Sequence, residues 1–299
     1  MGPVTSSNIA SDVIVVDAEK GLEIARLQGH TGYVTAVSWN LDGTRLASSS
    51  HDNSVIIWDP QTGTILKTLE GHEVNIAGSG YVTDLAWSPD GKVIASSGWD
   101  STVRTWDAET GAPIRTFQGN GRQIWYVEWT SDGEKLVALE HSRGGGDSVI
   151  WIWDAQTNGL LADLSPSDNR KTATSMVVSP DGRQLAVLTT AGLGSGIDTE
   201  IWDIRTGSVL LTIDGDEANT SIYTKLAWHP DGKQLAIGSS IFDASSGSLL
   251  ATLGMQKRLS VVAWSPDGKR LAGNQSDGTG VGGAGRLSRL LIWPIYADR

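Results

Sequence analysis

Cysteine is absent from this chain of 299 residues, and phenylalanine and methionine are scarce, with two and three copies. Without cysteine there can be no disulfide, no thiolate metal ligand and no cysteine nucleophile, so packing and hydrogen bonds must stabilise the fold. No stretch approaches the roughly 18 to 20 apolar residues of a membrane-spanning helix. The N-terminus also lacks the basic-then-apolar order of a signal peptide. We therefore expect a soluble cytoplasmic protein that does not bind membranes.

Positive charge is also in short supply. The chain has 23 Lys and Arg against 34 Asp and Glu, which gives a formal net charge of −11. Proteins that bind nucleic acids do so largely through Lys and Arg side chains that displace counterions from phosphates. The charge therefore argues against a nucleic acid partner.

Glycine and tryptophan are abundant, with 36 and 13 copies, and they follow a repeat. A first hairpin, with Asp-Gly at its turn, is followed each time by a second hairpin that begins near Trp-Asp. Such a fixed period indicates a repeat architecture built from one supersecondary unit. The first hairpins read SWNLDGTRLA, AWSPDGKVIA, EWTSDGEKLV, VVSPDGRQLA, AWHPDGKQLA and AWSPDGKRLA, and the second ones include IIWDPQTGTILKTL, RTWDAETGAPIRTF, WIWDAQTNGLLADL and EIWDIRTGSVLLTI.

These segments resemble WD40 repeats over nearly the whole chain, including repeats of prokaryotic multi-domain signalling proteins. The resemblance implies an all-β protein, a β-propeller of four-stranded antiparallel blades whose strands run from a, innermost, to d, outermost. We predict one propeller domain over 1–299. Residues 1–27 would supply strands b, c and d of the closing blade, 28–254 five full repeats, and 255–299 the last strands a, b and c.

The number of blades and the closure of the ring are less determined. Seven blades is the simplest interpretation, and six blades, with Leu22 to Leu27 closing the last sheet, is the alternative. One inner and one outer strand are unaccounted for, so either the closure is irregular or the chain is excised from, or fused to, a larger protein.

The lengths of the connections differ between the two ends of the strands. The sequence separation between the landmark residues of strands a and b, Trp39 and Leu46 in the first copy, is seven residues in all six copies. The separation between those of strands c and d, Asp59 and Leu69, is always ten residues. The b–c distance varies between 8 and 23 residues. Loops on a rigid scaffold commonly carry recognition, so we favour a binding face formed by the b–c and d–a connections. The alternative is that insertions are merely tolerated there.

The resemblance also implies polar tetrads that tie the d–a loop to strands b and c. They match in the first two full repeats, as His30, Ser48, Asp52 and Trp58 and as His72, Ser96, Asp100 and Trp106. In the third repeat Asn120 and Ala138 replace the His and Ser, and the later copies lack the set. We interpret these histidines as structural.

One position stands out on the face formed by the b–c and d–a connections, which we call the variable face. Trp125 lies where the other copies carry Thr or Ser, four residues before the strand a landmark. Tryptophan and arginine dominate many protein contacts, so we predict a partner-binding cluster near it. The alternative is that Trp125 fills the space of the lost tetrad. The predicted cluster consists of Trp99, Arg122, Trp125, His141 and Arg143.

Three other sequence motifs that could bind ligands are interpreted as flexible loops. Three carboxylates in Asp214 to Asn219 could bind calcium but do not have EF-hand spacing, so a solvated loop is favoured. The Gly278 to Gly283 segment satisfies G-x-G-x-x-G, but no helix pattern follows it. The three glycines Gly144 to Gly146 also indicate a loop. We expect no metal and no cofactor.

Together these observations predict a non-catalytic scaffold that binds a protein or peptide segment across the variable face. No catalytic triad or metal-ligand spacing is present in the sequence. The alternative is a propeller enzyme, or a propeller that binds a small ligand or metal in its central funnel. The predicted loops of the face are mixed in sign, basic at Arg122, Arg143, Arg170 and Lys171 and acidic at Asp214, Asp216 and Glu217.

Overall fold

The computed structural model describes residues 12–17, 20, 22–73, 80–141, 148–166, 171–191, 197–215, 224–253, 259–275 and 289–294. Backbone alone is described for 259–261, 274–275 and 289–294. In these parts of the chain, no helix is both long enough and apolar enough to cross a membrane.

The described residues contain 25 β-strands that pair in antiparallel sheets of consecutive strands. The strands are β1 Val13–Val16, β2 Glu23–Leu27, β3 Val34–Trp39, β4 Leu46–Ser50, β5 Ser54–Trp58, β6 Ile65–Glu70, β7 Val82–Trp87, β8 Val93–Gly98, β9 Thr102–Asp107, β10 Pro113–Gln118, β11 Gln123–Trp129, β12 Lys135–His141, β13 Ser148–Asp154, β14 Leu160–Leu164, β15 Thr172–Val178, β16 Gln184–Thr190, β17 Ile197–Asp203, β18 Val209–Asp214, β19 Leu226–Trp228, β20 Gln234–Ile237, β21 Ser240–Asp243, β22 Leu249–Thr252, β23 Leu259–Trp264, β24 Arg270–Gln275 and β25 Arg289–Pro294.

Seven sheets are described, which confirms the prediction of seven blades. Five have four strands in the order of a simple meander, β3–β6, β7–β10, β11–β14, β15–β18 and β19–β22. The first sheet pairs β1 with β2, and the last orders β23, β24 and β25. Because β2 pairs with β1, Leu22 to Leu27 belong to the first sheet rather than closing the last one. Residues 1–11, which precede β1, lie outside the described residues, so strand b of the closing blade stays a prediction.

The chain divides into two compact units. The first comprises Met1–Trp129, Gly133–Glu140 and Trp151–Leu161, and the second comprises Thr130–Asp132, His141–Ile150 and Ala162–Arg299. The fourth sheet contributes residues to both. The single domain over 1–299 stays a prediction.

Within each unit, the middle strands of the sheets are the most buried. Every residue of β4 and β5 is buried, whereas β6 is mostly exposed. In the first unit Ala47, Val55 and Ile57 pack with residues of the next sheet, including Trp87 and Trp106. Apolar or small side chains on both faces of the middle strands therefore suit a sheet that is covered on both sides.

The a–b and c–d turns meet at the same end of each sheet. In the third sheet, the a–b turn uses Gly91 at φ 68° and the c–d turn uses Gly111 at φ 78°, a region that favours glycine. The Ala108 N–H of the c–d turn donates to the Lys92 carbonyl of the a–b turn at 2.8 Å. Equivalent bonds join Ala155 to Glu134, Ile204 to Arg183 and Ala244 to Lys233. The b–c and d–a connections consequently lie at the other end of the strands.

The connection between strands b and c has no fixed length. In the sixth sheet β20 and β21 are joined by the two residues Gly238 and Ser239, whereas in the fourth sheet residues 142–147 separate β12 from β13. The strand bounds thus place the difference in length at the end opposite the a–b and c–d turns.

Candidate functional site

The first polar tetrad forms a continuous hydrogen-bonded relay. The Trp58 indole donates to Ser48 Oγ at 2.7 Å, and Ser48 Oγ lies 2.8 Å from His30 Nε2. His30 Nδ1 lies 2.9 Å from the Asp52 carboxylate. A neutral imidazole that carries its proton on Nδ1 satisfies every member, because it donates to Asp52 and accepts from the Ser48 hydroxyl.

The second tetrad repeats this arrangement in the next sheet. Trp106 donates to Ser96 at 2.9 Å, Ser96 lies 2.8 Å from His72 Nε2, and His72 Nδ1 lies 3.0 Å from an Asp100 oxygen. The backbone N–H of Glu73 also donates to Asp100 at 3.0 Å. Each tetrad therefore ties the d–a connection to strand c and to the b–c turn.

The aspartates of both tetrads are held in the charged form. Burial alone would raise the pKa of Asp52, but hydrogen bonds from His30, Ser54 and the Thr31 backbone outweigh it and lower the pKa well below its usual range. Burial of Asp100 is likewise outweighed by hydrogen bonds from His72, the Glu73 backbone and Thr102, so its pKa is lowered.

In the third repeat, a buried glutamate replaces the tetrad. Glu140 lies on β12 with no exposed surface. Its carboxylate accepts hydrogen bonds from the Ser101 hydroxyl at 3.0 Å, the Arg122 N–H at 2.8 Å and the Trp151 indole at 2.7 Å. It also accepts from the Asn120 backbone N–H at 3.1 Å. With its nitrogen turned toward the carboxylate, the Asn120 amide donates to both oxygens at 2.9 Å.

Like the tetrads, this glutamate ties the d–a connection to strand c, but through different residues. It joins the d–a connection, through Asn120 and Arg122, to strand c, through Trp151, whose ring stacks on Trp153 at 5.7 Å. Sequence reasoning missed Glu140. A charged residue directly after the apolar stretch Leu136 to Leu139 could have identified it, because buried charges are rare without dedicated hydrogen bonds.

Five rings form an aromatic row at the b–c and d–a end of the first unit, consisting of Tyr33, His51, Tyr81, Trp99 and Trp125. Successive ring centroids lie 5.9 Å apart from Tyr33 to His51, 4.0 Å from His51 to Tyr81, 4.8 Å from Tyr81 to Trp99 and 5.6 Å from Trp99 to Trp125. His51 and Tyr81 are stacked, with 11° between their planes. Tyr33 is 48% exposed, whereas Trp99 is buried.

Repeated backbone positions build this row. Tyr33 and Tyr81 directly precede the inner strands β3 and β7, and His51 and Trp99 directly follow β4 and β8. The His51 N–H donates to the Tyr33 carbonyl at 2.9 Å, and the Trp99 N–H donates to the Tyr81 carbonyl at 3.0 Å. The antiparallel pairing therefore sets each pair of rings side by side.

Trp125 enters the row by replacing a threonine. In the preceding sheets Thr35 donates to the Val82 carbonyl at 2.8 Å, and Thr83 donates to the Ile124 carbonyl at 2.6 Å. These hydroxyls link successive inner strands. Trp125 occupies the corresponding position on β11 and brings a large ring against Trp99 instead.

The predicted partner cluster is placed as follows. The structure brings Trp99 and Trp125 into contact, and Arg122 is half-buried with its backbone bound to Glu140. His141 ends β12, is half-buried and belongs to the second unit. Arg143 and the glycines that follow it lie outside the described residues. The role of these residues in binding stays a prediction.

Sequence reasoning missed three members of the row, Tyr33, His51 and Tyr81. The pattern Gly-Tyr-Val-Thr occurs twice, at 32–35 and 80–83, and could have identified both tyrosines. Their contact with His51 and Trp99 depends on the pairing of strands a and b.

Most of the remaining loop candidates are not described. The Gly278 to Gly283 segment and Arg170 lie outside the described residues, as do residues 216–219 of the acidic loop. Lys171 forms an ion pair with Asp198 at 2.5 Å. Across the described ranges, no group of three or more His, Asp or Glu side chains is arranged to hold a metal ion.

A four-stranded antiparallel meander repeated in successive sheets defines the β-propeller class. The family model "WD domain, G-beta repeat" matches residues 21–59, 63–107 and 111–154. These matches confirm the resemblance to WD40 repeats that was drawn from the sequence.

Curated relatives align with most of this chain. "Eukaryotic translation initiation factor 3 subunit I" of Lodderomyces elongisporus is 27% identical over 242 residues, which cover 76% of this chain and 53% of the relative. "Cell division cycle 20.1, cofactor of APC complex" of Arabidopsis thaliana is 26% identical over 294 residues, 97% of this chain and 58% of the relative. The chain thus spans about half the length of the curated relatives it matches.

Solved structures show the same fold. A chain of "Crystal Structure of Mitotic Checkpoint Complex" superposes with a TM-score of 0.74 at 25% identity, covering 95% of this chain and 82% of that chain. A chain of "Kuenenia stuttgartiensis Hydrazine Synthase" superposes with a TM-score of 0.77 at 19% identity, covering 96% and 90%. At that identity, the second likeness shows the fold alone.

Proposed function

We propose that this protein is a non-catalytic scaffold that binds a protein or peptide segment across the face formed by its b–c and d–a connections. The observation that carries the proposal is the aromatic row on this face. The names of similar proteins support it, since they include a subunit of an initiation factor, a cofactor of the APC complex and a chain of a checkpoint complex. We place the function in the cytoplasm.

The row has the chemistry of a contact surface. Tyrosine and tryptophan supply large, stiff areas and are enriched among the residues that dominate binding energy. Tyr33 is 48% exposed, and His51, Tyr81 and Trp125 are partly exposed. A partner segment laid along these rings would bury apolar area while the phenol groups remain able to form hydrogen bonds.

The face is also held rigid next to the row. Asp52 follows His51 directly, and Asp100 follows Trp99 directly, so each tetrad fixes the turn that carries a ring of the row. Glu140 fixes Arg122, three residues before Trp125. A surface that is ordered before binding loses less conformational entropy on association. The tetrads therefore support recognition without touching the partner.

The test compares partner capture by matched variants. Trp125→Thr restores the residue that other repeats carry, and Tyr33→Ser with Tyr81→Ser removes the two phenol rings. Ile114→Ser, on the outer strand β10 and 41% exposed, is the control for loss of exposed apolar area. We expect affinity purification with cross-linking mass spectrometry to recover a partner with the wild type and the control. Both face variants should lose it. Equal capture by all four proteins would contradict the proposal.

A further inference from the structure

Tryptophans at the ends of the inner strands connect successive sheets. Trp87 donates its indole N–H to the Ser38 carbonyl at 3.0 Å, and Trp129 donates to the Ala86 carbonyl at 3.2 Å. In the second unit, Trp228 donates to the Val177 carbonyl and Trp264 to the Ala227 carbonyl, both at 3.2 Å. Each bond runs from one inner strand to the inner strand before it.

The four acceptors share a register and a side-chain size. Each acceptor lies one residue before the end of its own inner strand, and its side chain is small, as in Ser38, Ala86, Val177 and Ala227. A small residue lets the indole ring approach the backbone closely. The repeat therefore specifies what such a tryptophan recognises, an extended strand with a small residue at the accepting position.

Trp39 carries the same donor but differs from the other copies. It ends β3 and is 47% exposed, whereas Trp87 is 9% exposed. Among the described residues, no carbonyl accepts a hydrogen bond from its indole. Val37, two residues earlier on the same side of the strand, is 52% exposed, and Leu41 is 86% exposed. We call these three residues the β3 strip.

The β3 strip adjoins a groove at the a–b turn end of the first unit. Its lining includes Trp39, Leu41, Trp87, Pro89 and Trp129, and its volume is about 280 Å³. This surface lies at the opposite end of β3 from Tyr33, the first ring of the aromatic row. It is therefore separate from the face assigned under the proposed function.

We propose that the β3 strip binds an extended β-strand of a partner protein. A main-chain carbonyl of that strand, at a small residue, accepts the hydrogen bond of Trp39, and apolar side chains of the strand cover Val37 and Leu41. A second copy of this chain fits less well. Of the small residues at the matching register in the described inner strands, Ser38, Ala86, Val177 and Ala227 already accept an indole, which leaves Ala263 on β23. In a symmetric dimer in which the two β3 strips face each other, the two Trp39 indole donors would also face each other without an acceptor.

The direct test uses a probe strand taken from the chain itself. The peptide KTATSMVVS copies residues 171–179, which include β15 and the carbonyl that Trp228 uses. With the full chain labelled by ¹⁵N-tryptophan, the Trp39 indole resonance is assigned by its loss in Trp39→Phe. We expect millimolar peptide to shift the Trp39 resonance, while a peptide of the same composition in scrambled order leaves it unchanged. An unmoved Trp39 resonance, or an equal shift with both peptides, overturns the proposal.

Two further measurements identify the occupant. A photoreactive amino acid in place of Leu41, in the full-length protein in its own cells, should cross-link to a partner peptide of alternating apolar residues with a small residue near the cross-link. Affinity for that partner should fall about three- to tenfold in Trp39→Phe, since the change removes one hydrogen bond and keeps an apolar ring. A wild-type dimer in sedimentation that Trp39→Phe dissociates would replace the partner by a second copy and overturn the proposal.

The two surfaces can fail independently. Trp125→Thr and the double change at Tyr33 and Tyr81 should leave the peptide-induced shift of Trp39 unaltered. Capture across the aromatic row should in turn be unaltered in Trp39→Phe. Loss of the Trp39 shift in the face variants would overturn the separate strand site.

Discussion

Replacing Glu140 by glutamine keeps the shape of the side chain but puts a donor where the site needs an acceptor. Five donor groups converge on the carboxylate, the Ser101 hydroxyl, the Arg122 N–H, the Trp151 indole and both nitrogens of Asn120. In the least unfavourable orientation, the glutamine oxygen takes the place of Oε1 and keeps the bonds from Ser101 and Arg122. Its NH₂ group then faces the Trp151 N–H, which lies 2.7 Å from Oε2.

The magnitude follows from these contacts. A buried donor left without an acceptor costs about 1–3 kcal/mol. The remaining bonds lose their charge assistance, which roughly halves the strength of each. We therefore expect Glu140→Gln to lower the free energy of unfolding by about 2–4 kcal/mol. In a protein of this size, that corresponds to a fall in Tm of roughly 5–10 °C.

Calorimetry and circular dichroism melts at pH 7 provide the assay. Glu109→Gln is the matched control, because Glu109 is a surface carboxylate with 77% of its side chain exposed, paired with Arg45. We expect the control to change stability by less than about 0.5 kcal/mol. A Glu140→Gln melt that coincides with the control would refute the assignment of Glu140 as the hub of this network.

A double variant tests the donor conflict itself. Trp151→Phe removes the N–H that the glutamine amide would oppose. Glu140→Gln together with Trp151→Phe should therefore be more stable than the sum of the two single changes predicts, with a coupling of roughly 1 kcal/mol. Strict additivity would show that the two side chains do not oppose each other.

Three further predictions concern the tetrads and turns. Ser48→Ala leaves the Trp58 indole and His30 Nε2 without their shared partner, and should cost about 2–4 kcal/mol in chemical denaturation. The pKa of Asp100 is lowered in the folded protein, so its contribution to stability is present above the unfolded pKa of about 3.9 and is lost as pH falls below it. Asp100→Asn should accordingly make the free energy of unfolding depend less on pH between pH 5 and 2, that is, from about one unit above this unfolded pKa to about two units below it. Hydrogen bonds from Ser245 and Ser246 lower the pKa of Asp243 to about 2, so its carboxyl resonance in NMR should titrate near that pH and move upward in a Ser245→Ala, Ser246→Ala variant.

Each of these predictions has a control and a contrary outcome. Ser208→Ala changes an exposed serine and should leave the denaturation midpoint unaltered, so equal loss in Ser208→Ala and Ser48→Ala would remove the relay as the cause. If the free energy of unfolding falls as steeply with acid in Asp100→Asn as in the wild type, other carboxylates govern acid unfolding. An Asp243 that titrates near pH 4 in the wild type would contradict the turn geometry.

The order of the strands could be predicted from the sequence because the responsible interactions are local and repeated. Asp-Gly turns fix each a–b hairpin, and the Asp that closes strand c fixes each c–d turn by accepting from backbone N–H groups two and three residues later, as Asp59 does from Gln61 and Thr62. The tetrads could also be predicted, since Ser, Asp and Trp recur at one spacing in two repeats and a Gly-His pair precedes each set. These features need no knowledge of distant contacts.

The sequence by itself thus determined the order of the strands, their turns and the end of the strands where lengths vary. Only the tertiary structure decided how the variable face and the inner strands are used, because those contacts join residues far apart in the chain. Pairing of strands a and b sets Tyr33 beside His51 and Tyr81 beside Trp99, and packing of one sheet on the next stacks His51 on Tyr81. Packing of one sheet on the next makes Glu140 a hub and buries Trp87, while it leaves Trp39 exposed on the same repeated position.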